Sequence, residues 1–330
     1  MQTTILTESD IRSLLEMRNI INSVEQIFKA KGLGKIQMPS KTYLYYEKSK
    51  GDLRIMPSYL EDMDVSAVKV VNSHPNNRSE GLPSVMGTII LIDPRTGFPL
   101  SIMGGTWLTA MRTGATSAIS AKYLARKNSK VLGIIGTGLQ ATTQLMAMLE
   151  VLSKITEVRA YDSDNNRLTS FLKEAKNRYP EVRISGESKA EVVVRNSDIC
   201  ITLTPTRKPH IREEWVRPGT HFCAIGADAP GKQELDPNIL KNGTIIVDDM
   251  EQAAHGGEIN LPLKYGIITR DDVIGDLSSI VLGKVQGRTS EDEITIFDST
   301  GLAMQDAVIA KHAYDQAVQM GLGQRLDLVL

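Results

Sequence analysis

A lysine within an apolar strand is the first side chain of this 330-residue chain that could carry chemistry. Lys69 interrupts the apolar run from Val65 to Val71. Burial lowers the pKa of a lysine amine, and an amine that titrates near neutrality can transfer a proton at a carbon that becomes an imine. The alternative is a lysine on the solvent face of its strand. The pattern makes Lys69 a candidate acid–base group.

Asp228 is the second candidate, because it closely follows a predicted parallel strand, within the run from Gly226 to Lys232. Doubly wound sheets bind their ligands just beyond the carboxyl ends of such strands. The alternative is an aspartate that only forms a turn. The position makes Asp228 a candidate residue of a ligand site.

Three further cations are candidates for holding a carboxylate, namely Arg54, Arg112 and Lys41. An arginine can bind a carboxylate through two parallel N–H groups, and a lysine supplies a point charge. Each of the three is equally consistent with an exposed surface charge. We expect these residues to bind the substrate.

A glycine-rich turn follows a buried-strand pattern between Val131 and Ala141. The glycines Gly136 and Gly138 with Ala141 form the G-x-G-x-x-A spacing of a dinucleotide-binding turn. The first glycine permits the tight turn, the second lets the backbone approach a pyrophosphate, and the helix N-terminus receives the phosphates. A purely structural turn is the alternative, but apolar residues at helical spacing follow it, as a strand–turn–helix unit requires.

Asp162 ends the next predicted strand, from Glu157 to Tyr161. A carboxylate at this distance from the turn would bind the adenine ribose hydroxyls and oppose the extra phosphate of NADP. The spacing therefore predicts NAD as cofactor, although Arg167 nearby leaves NADP as an alternative. The residues of the turn expected to contact the cofactor, besides the two glycines, are Thr137, Leu139 and Gln140.

The segments that would position these residues form two blocks. In the first, a capping box from Thr7 to Asp10 begins one helix, and apolar residues between Ile20 and Phe28 form a second. Short β-rich runs then predict a mainly antiparallel sheet over residues 43–47, 53–56, 65–72, 85–92 and 99–103, with a hairpin connector at residues 93–97.

The second block alternates strands and helices. A helix from about Thr113 leads into it, and its strands are predicted at residues 131–135, 157–161, 182–185, 199–203, 221–226, 244–248 and 294–297. This alternation is typical of a Rossmann-type, doubly wound parallel sheet. We therefore predict an α/β protein with an α+β domain over residues 1–118, rejoined by a C-terminal helix over residues 302–330, and a nucleotide-binding domain over residues 119–301.

Composition argues against several classes of protein. The net charge is −1, and Lys and Arg are interspersed with Asp and Glu, so no basic stripe indicates nucleic-acid binding. Cys200 and Cys223 fit buried apolar thiols, and the five histidines lack metal-ligand spacing, so we expect no catalytic metal. Without a signal-peptide pattern or an apolar run of about 18 residues, we expect a cytoplasmic protein with no membrane contact.

Taken together, these motifs resemble the ornithine cyclodeaminase and mu-crystallin family over nearly the whole chain. The resemblance is carried by Lys69–Pro75, Gly81–Val85, Arg112–Ala115, Gly136–Ala141, Gly226–Leu235 and Phe297–Gly301. The chain departs from the family pattern at Met103–Thr106, where it has glycine and relatives often carry Asp or Glu.

The resemblance implies a homodimer in which the first domains join their antiparallel sheets. It also implies that Lys69 and Asp228 flank the nicotinamide, so we expect them to be the catalytic pair. Thr113 and Gly226 would contribute to cofactor binding together with Asp228. The first domain would then bind the substrate and form the dimer.

Within the family, Gly51–Arg54, Asp248–Gln252 and His255–Asn260 are most similar to archaeal-type alanine dehydrogenases. The resemblance therefore implies NAD-dependent interconversion of L-alanine with pyruvate and ammonia, in place of ornithine chemistry, because ornithine cyclodeaminases carry an acid where this chain has Arg54. The alternatives are a cyclodeaminase for ornithine or lysine, a cyclic ketimine reductase, and a mu-crystallin-like protein that binds the nucleotide without turnover.

Overall fold

The computed structural model describes residues 1–329, with the backbone alone described at Arg78. The chain divides into two compact units. The first comprises residues 1–112 and the segment from Leu302 onward, and the second comprises Thr113–Gly301. The division falls after Arg112, whereas the sequence places it after residue 118. It lies inside a continuous helix, so no change of sequence pattern marks it.

The chain forms helices and strands in the following order from the N-terminus. They are β1 (Thr3–Leu6), α1 (Glu8–Leu14), α2 (Met17–Gly32), β2 (Ile36–Gln37), β3 (Thr42–Tyr46), β4 (Gly51–Leu60), β5 (Val65–Ser73), β6 (Val85–Ile92), β7 (Pro99–Gly104), α3 (Thr106–Leu124), β8 (Val131–Ile135), α4 (Leu139–Val151), β9 (Glu157–Tyr161), α5 (Asn165–Arg178), β10 (Arg183–Gly186), α6 (Ala190–Asn196), β11 (Ile199–Thr202), β12 (His221–Ala224), α7 (Pro237–Lys241), β13 (Thr244–Val247), α8 (Met250–Gly256), α9 (Asn260–Lys264), β14 (Val273–Asp276), α10 (Leu277–Val281), β15 (Thr295–Asp298), α11 (Ala303–Met320) and β16 (Gln324–Leu326). Short 3₁₀ turns occur at Glu47–Ser49, Glu61–Met63, Pro75–Glu80, Glu213–Trp215 and Arg270–Asp272.

The first unit is built on a mixed sheet. Within residues 1–329 this sheet has eight strands in the order β16-β1-β7-β6-β5-β4-β2, with β3 also paired to β4. Strands β4 to β7 are antiparallel to one another, which confirms the predicted antiparallel block. The sequence analysis missed β1 and β16, because both are short and each joins the sheet only through pairing with residues distant in sequence.

Helices cover one face of this sheet. Helix α11 packs on β4, β5 and β6 and against α2. Arg54 is paired with Val71 on the neighbouring strand, so Arg54, Val71 and Lys69 lie on the same face, and all three are buried. Ile55 lies on the opposite face and is 36% exposed. Lys69 therefore does not lie on a solvent face of its strand.

The second unit is built on a parallel sheet. Within the described residues its strands follow the order β10-β9-β8-β11-β12-β15-β13-β14, and each of these pairings is parallel. Because β9 and β10 lie on one side of β8 and β11 on the other, the strand order reverses beside β8. This is the doubly wound arrangement that the sequence predicts, and ligands bind at the carboxyl edge where the order reverses. The sequence analysis missed β14, an edge strand.

Helix α3 begins at Thr106, earlier than the predicted start near Thr113. Its first backbone amides are held by the Glu8 carboxylate, which accepts hydrogen bonds from the N–H of Thr106 at 2.7 Å and of Trp107 at 3.1 Å. A Cβ on Gly104 would lie 2.9 Å from the Glu8 side chain. A carboxylate from α1 therefore caps this helix beside the glycines at which the chain departs from the family pattern.

Cys200 and Cys223 are free thiols buried on β11 and β12, as predicted. Burial raises the pKa of the Cys223 thiol to about 12. The helices of residues 1–329 include none with the length and apolar character needed to cross a bilayer.

Candidate functional site

The second unit carries a crevice of about 320 Å³ at the carboxyl ends of β8, β9 and β11. It is lined by Ile135, Gly136, Tyr161, Asp162, Ser163, Thr204, Pro205, Thr206 and His210. The volume lies at the lower end of the range for small-molecule pockets. The crevice is therefore at the strand-order reversal, where the glycine-rich sequence leads us to expect a nucleotide.

Asp162 holds the glycine-rich turn in shape. Its Oδ2 accepts hydrogen bonds from the backbone N–H of Thr137 at 2.7 Å and from the Thr137 hydroxyl at 3.0 Å. Its Oδ1 accepts from the N–H of Asp164 at 2.9 Å. Arg167 is the residue whose positive charge makes NADP an alternative cofactor. It donates a hydrogen bond to Asp164 at 2.9 Å and lies 4.0 Å from Asp162. Asp162 thus links the first and second strand–helix turns as well as lining the crevice.

The glycines of this turn leave the room that a dinucleotide requires. Gly136 has a φ of +94°, a conformation that L side chains rarely adopt, and a Cβ there would lie 3.2 Å from Leu203 O. Gly138 is the N-cap of α4, and nothing in the described chain lies within 4 Å of the position of its Cβ. A pyrophosphate can approach the open first turn of α4 there, with Leu139 and Gln140 beside it. The residues present fit a bound dinucleotide.

A buried carboxylate positions the loop that carries Asp228. Glu234 accepts hydrogen bonds from the N–H of Thr204 at 2.6 Å and of Gly226 at 2.8 Å, so it ties together the ends of β11 and β12. A Cβ on Gly226 would collide with Glu234 and with the Thr204 carbonyl. Asp228 itself forms an ion pair with Lys232 at 2.5 Å. Gly226 is therefore required for close packing of this loop.

Glu234 is in turn held by Glu258. The Glu258 carboxylate accepts hydrogen bonds from the backbone N–H of Glu234 at 2.9 Å and of Leu235 at 2.6 Å. Burial raises the pKa of both carboxyls, and the charge of Glu234 further raises that of Glu258. Two buried acids therefore fix both ends of the loop from Gly226 to Leu235.

The first unit brings Lys69 and Arg112 together around an aspartate. Asp306 on α11 lies with its Oδ2 2.6 Å from Lys69 Nζ and its Oδ1 3.0 Å from Arg112 Nε. Arg112 also donates to Gln305 Oε1 at 3.1 Å. Lys69 and Asp306 are each 1% exposed and Arg112 is 5% exposed. One carboxylate thus bridges two of the predicted site residues.

The surroundings of Lys69 place its titration near neutrality. Burial, followed by the positive charge of Arg112, lowers the pKa of Lys69 to about 7, and Lys41 acts in the same direction. Asp306 opposes this by favouring the charged amine. Lys69 can therefore both accept and donate a proton near pH 7.

Arg54 has an acidic partner of its own. Its Nε and Nη2 donate to the two oxygens of Asp52 at 2.9 and 3.1 Å, and its guanidinium lies 5.6 Å from the ring of Tyr43. Arg54 and Lys69 are on the helix-covered face of the first sheet, and Lys41 acts on Lys69 electrostatically. The first unit therefore gathers cationic side chains at this place: Arg54 pairs with Asp52, and both Lys69 and Arg112 pair with Asp306.

A model of the ornithine cyclodeaminase/mu-crystallin family matches residues 1–321. The chain belongs to this family. Within the ornithine cyclodeaminase/mu-crystallin family, an alanine dehydrogenase of Archaeoglobus fulgidus is 48% identical over 326 residues, which span 99% of this chain and 98% of the relative.

Solved structures of relatives match both units. An archaeal alanine dehydrogenase dimer with bound NAD is 48% identical, with a TM-score of 0.94, and the match covers 99% of this chain and 100% of that one. A Δ1-pyrroline-2-carboxylate reductase of Thermococcus litoralis, in complex with NADH and L-proline, is 40% identical, with a TM-score of 0.95, and the match covers 98% and 99% of the two chains.

The sequence analysis did not identify Asp306 as a candidate site residue. Gln305 and Asp306 interrupt a run of α11 in which Ala303–Ala310 are all buried. A polar pair within an apolar helix is the same kind of signal that singled out Lys69. Thr113, also predicted to bind the cofactor, is a buried residue of α3 and the first residue of the second unit. Asp52, Glu234 and Glu258 were missed too, because nothing local distinguishes them from surface acids.

Proposed function

We propose that the protein is an NAD-dependent dehydrogenase that interconverts L-alanine with pyruvate and ammonia. The observation that carries the proposal is the buried cluster of Lys69, Arg112 and Asp306, which combines an amine titrating near pH 7 with an excess of positive charge. Such a cluster favours a small substrate with one carboxylate. The 48% identity with an alanine dehydrogenase over nearly the whole chain supports this choice of substrate.

The substrate carboxylate is assigned to Arg54 and Arg112, assisted by Lys41. The guanidinium of Arg112 is held by Asp306 and Gln305, and that of Arg54 by Asp52, so both groups have a restricted orientation before the substrate binds. Pre-orientation reduces the entropy cost of binding and fixes the reacting carbon.

Proton transfer is assigned to Lys69 and Asp228. Protonated Lys69 polarises the carbonyl of pyruvate or the imine derived from it, and the neutral amine takes the proton back in the reverse direction. Asp228 accepts a proton from the water that hydrolyses the iminium. NAD, when bound, supplies the hydride acceptor for alanine oxidation and NADH the donor for the reverse reaction.

The cofactor is assigned to the crevice of the second unit. Asp162 would accept hydrogen bonds from the adenine ribose, and the open turn at Gly136 and Gly138 would receive the pyrophosphate. Thr113, Thr137, Leu139, Gln140, Gly226 and Asp228 complete the proposed contacts. NAD or NADH is bound in the two solved relatives, which supports the choice of dinucleotide.

We also propose that the protein is a homodimer with a cytoplasmic location. The sheet face opposite α2 and α11 carries partly exposed apolar side chains, including Leu44, Ile55 and Val70. An apolar face of this kind is typical of a protein–protein interface. The archaeal alanine dehydrogenase relative is a dimer, which supports the same assembly for this protein.

The deciding assay uses purified protein with NADH, ammonium and a panel of 2-oxo acids, and follows oxidation of the nicotinamide. Pyruvate should be reduced in an ammonium-dependent manner, and L-alanine with NAD should give the reverse reaction. Absence of both reactions with correctly folded, NADH-binding protein would contradict the proposal.

A second candidate is reduction of a cyclic imine, because the pyrroline-2-carboxylate reductase relative is 40% identical with a TM-score of 0.95. Its substrate arrives as an imine, so no water has to be activated. An Asp228→Asn variant separates the two functions. It should lose pyruvate amination in an alanine dehydrogenase, whereas an imine reductase should use Δ1-pyrroline-2-carboxylate in preference to pyruvate and keep most of that activity in the variant.

A further inference from the structure

Asp306 lies between two of the proposed site cations. Its two oxygens are used separately, Oδ2 by Lys69 at 2.6 Å and Oδ1 by Arg112 at 3.0 Å. Because each oxygen has a different partner, rotation of the carboxylate would break both contacts. The pair of cations is therefore held in a fixed relative position.

The position of Asp306 in helix α11 also stabilises its carboxylate beside Arg112. Asp306 is in the first turn of α11, where the positive end of the helix dipole favours a carboxylate. The preceding residue, Gln305, accepts hydrogen bonds from Arg112 Nη1 at 3.1 Å and from the N–H of Leu302 at 3.0 Å. Helix α11 thus presents two adjacent side chains to Arg112, one charged and one neutral.

The charges of Lys69, Arg112 and Asp306 affect which substrate can bind. Lys69 and Arg112 together carry two positive charges when Lys69 is protonated, and two buried cations at close range would repel each other strongly. The single negative charge of Asp306 leaves one net positive charge. A substrate carboxylate would offset positive charge at this pair, whereas a second ammonium on the substrate would add to the repulsion.

We propose that Asp306 is a positioning residue that holds Lys69 and Arg112 in their working geometry and, when Lys69 is protonated, leaves these three groups with one net positive charge for a monocarboxylate substrate. This rests on the proposed function for the identity of the substrate only. Lys69 is faced by three charged groups from different elements: Asp306 on α11, Arg112 on α3 and Lys41 before β3. Asp306 is the one among these three that favours the charged amine.

Asp306→Asn keeps the shape of the side chain and removes its charge. The titration of the Lys69 ε-amine, followed by NMR of protein labelled with ¹³C at the lysine ε-carbon and assigned with Lys69→Met, should move to lower pH by about one unit or more. The KM for pyruvate should rise about tenfold or more, because Arg112 loses its charged partner. An unchanged Lys69 titration in a folded Asp306→Asn protein would overturn the inference.

Gln305→Met is the matched control on the same helix. It removes a neutral partner of Arg112, so it should raise the KM for pyruvate while leaving the Lys69 titration where it is in the unmodified protein. If Gln305→Met moved the titration as far as Asp306→Asn does, the charge of Asp306 would not be the cause and the inference would be wrong.

Asp306→Glu provides the test if Asp306→Asn does not fold. It keeps the charge but displaces it by one methylene, so the Lys69 titration should stay near its original pH while the KM for pyruvate rises. A KM equal to that of the unmodified protein would contradict a positioning role.

The NMR measurement needs no substrate, which separates this inference from the proposed function. A protein that does not use pyruvate but shows the shifted titration contradicts alanine dehydrogenase activity and supports the role of Asp306. The KM comparison is then made with Δ1-pyrroline-2-carboxylate.

Discussion

The Lys69 amine is buried, and its surroundings shift its pKa in opposite directions. Its environment lowers the pKa to about 7, because burial and Arg112 outweigh the nearby carboxylate of Asp306. A group that titrates at the working pH is the most effective proton-transfer catalyst, because both of its forms are populated.

Replacing Lys69 with Met should lower turnover by about a hundredfold or more, the usual scale for loss of a general acid or base, and leave NADH affinity nearly intact. Steady-state kinetics and a fluorescence titration with NADH measure the two effects. Lys311→Met is the control, since Lys311 pairs with Asp315 on α11 and is more exposed. Normal turnover in Lys69→Met would show that Lys69 has no role in proton transfer.

Asp162 is expected to set the preference for NAD(H) over NADP(H). Asp162→Ser should narrow that preference by about 1–3 kcal/mol, the range for a lost hydrogen bond to a charged group, as measured from dissociation constants for NADH and NADPH. It should also weaken binding of both, because the bonds to Thr137 are lost. Asp164→Ser, two residues along, is the control. If the unmodified protein binds NADPH as well as NADH, Asp162 is not a ribose ligand.

Arg54 is expected to select for a substrate with a single carboxylate. Arg54→Glu would place a second acid beside Asp52, so the KM for pyruvate should rise steeply while NADH affinity is unchanged. The variant Arg95→Glu, at an exposed arginine, serves as control.

With the unmodified protein, L-ornithine and NAD should yield no proline or ammonia, because the site has an excess of positive charge. Appreciable proline formation would favour a cyclodeaminase.

At the scale of elements, the loop after β12 depends on two buried acids. Glu234 joins this loop to the end of β11, and Glu258 holds Glu234 from the start of the segment that leads into α9. The loop carries Asp228, so its geometry bears on proton transfer. Because Glu258 is buried beside Glu234, its pKa is raised well above the ordinary value of 4.5.

This raised pKa predicts a pH dependence of stability. The folded state holds a proton on Glu258 that the unfolded state releases, so stability falls as the pH rises above about 5 toward the raised pKa. Glu258→Gln removes that proton equilibrium. As the pH rises, the melting temperature of the variant should therefore fall less than that of the unmodified protein. Thermal unfolding from pH 5 to 8 measures the difference. Glu251→Gln, an exposed acid paired with Arg270, is the control and should follow the unmodified protein.

Assembly of the protein should depend on the sheet face opposite α2 and α11. Val70→Lys places a charge within this face and should shift the protein from dimer to monomer in light scattering after size-exclusion chromatography. Met320→Lys, at an apolar position on α11 that is 66% exposed, should leave the dimer intact. A Val70→Lys protein that stays dimeric would place the interface elsewhere.

Features with a local cause could be predicted from the sequence. The doubly wound sheet follows from alternating strand and helix patterns, and the turn at Gly136 and Gly138 follows from a spacing that only a tight strand–helix connection needs. The antiparallel block and the capping box at Thr7 were likewise predictable, because the strand patterns and the cap spacing each lie within a short stretch of sequence. Lys69 stood out because a cation in an apolar strand is costly unless something compensates it.

The group that compensates Lys69, the Asp306 carboxylate, is supplied by folding. Asp306 also pairs with Arg112, which lies 194 residues away in the chain, and no local pattern links these residues. The early start of α3 has the same origin, because the Glu8 carboxylate that caps it comes from α1. Strand β1 depends on pairing with β7 and β16 in the same way. A charge or an edge strand is stabilised by whatever folding brings next to it, and sequence spacing does not record that partner.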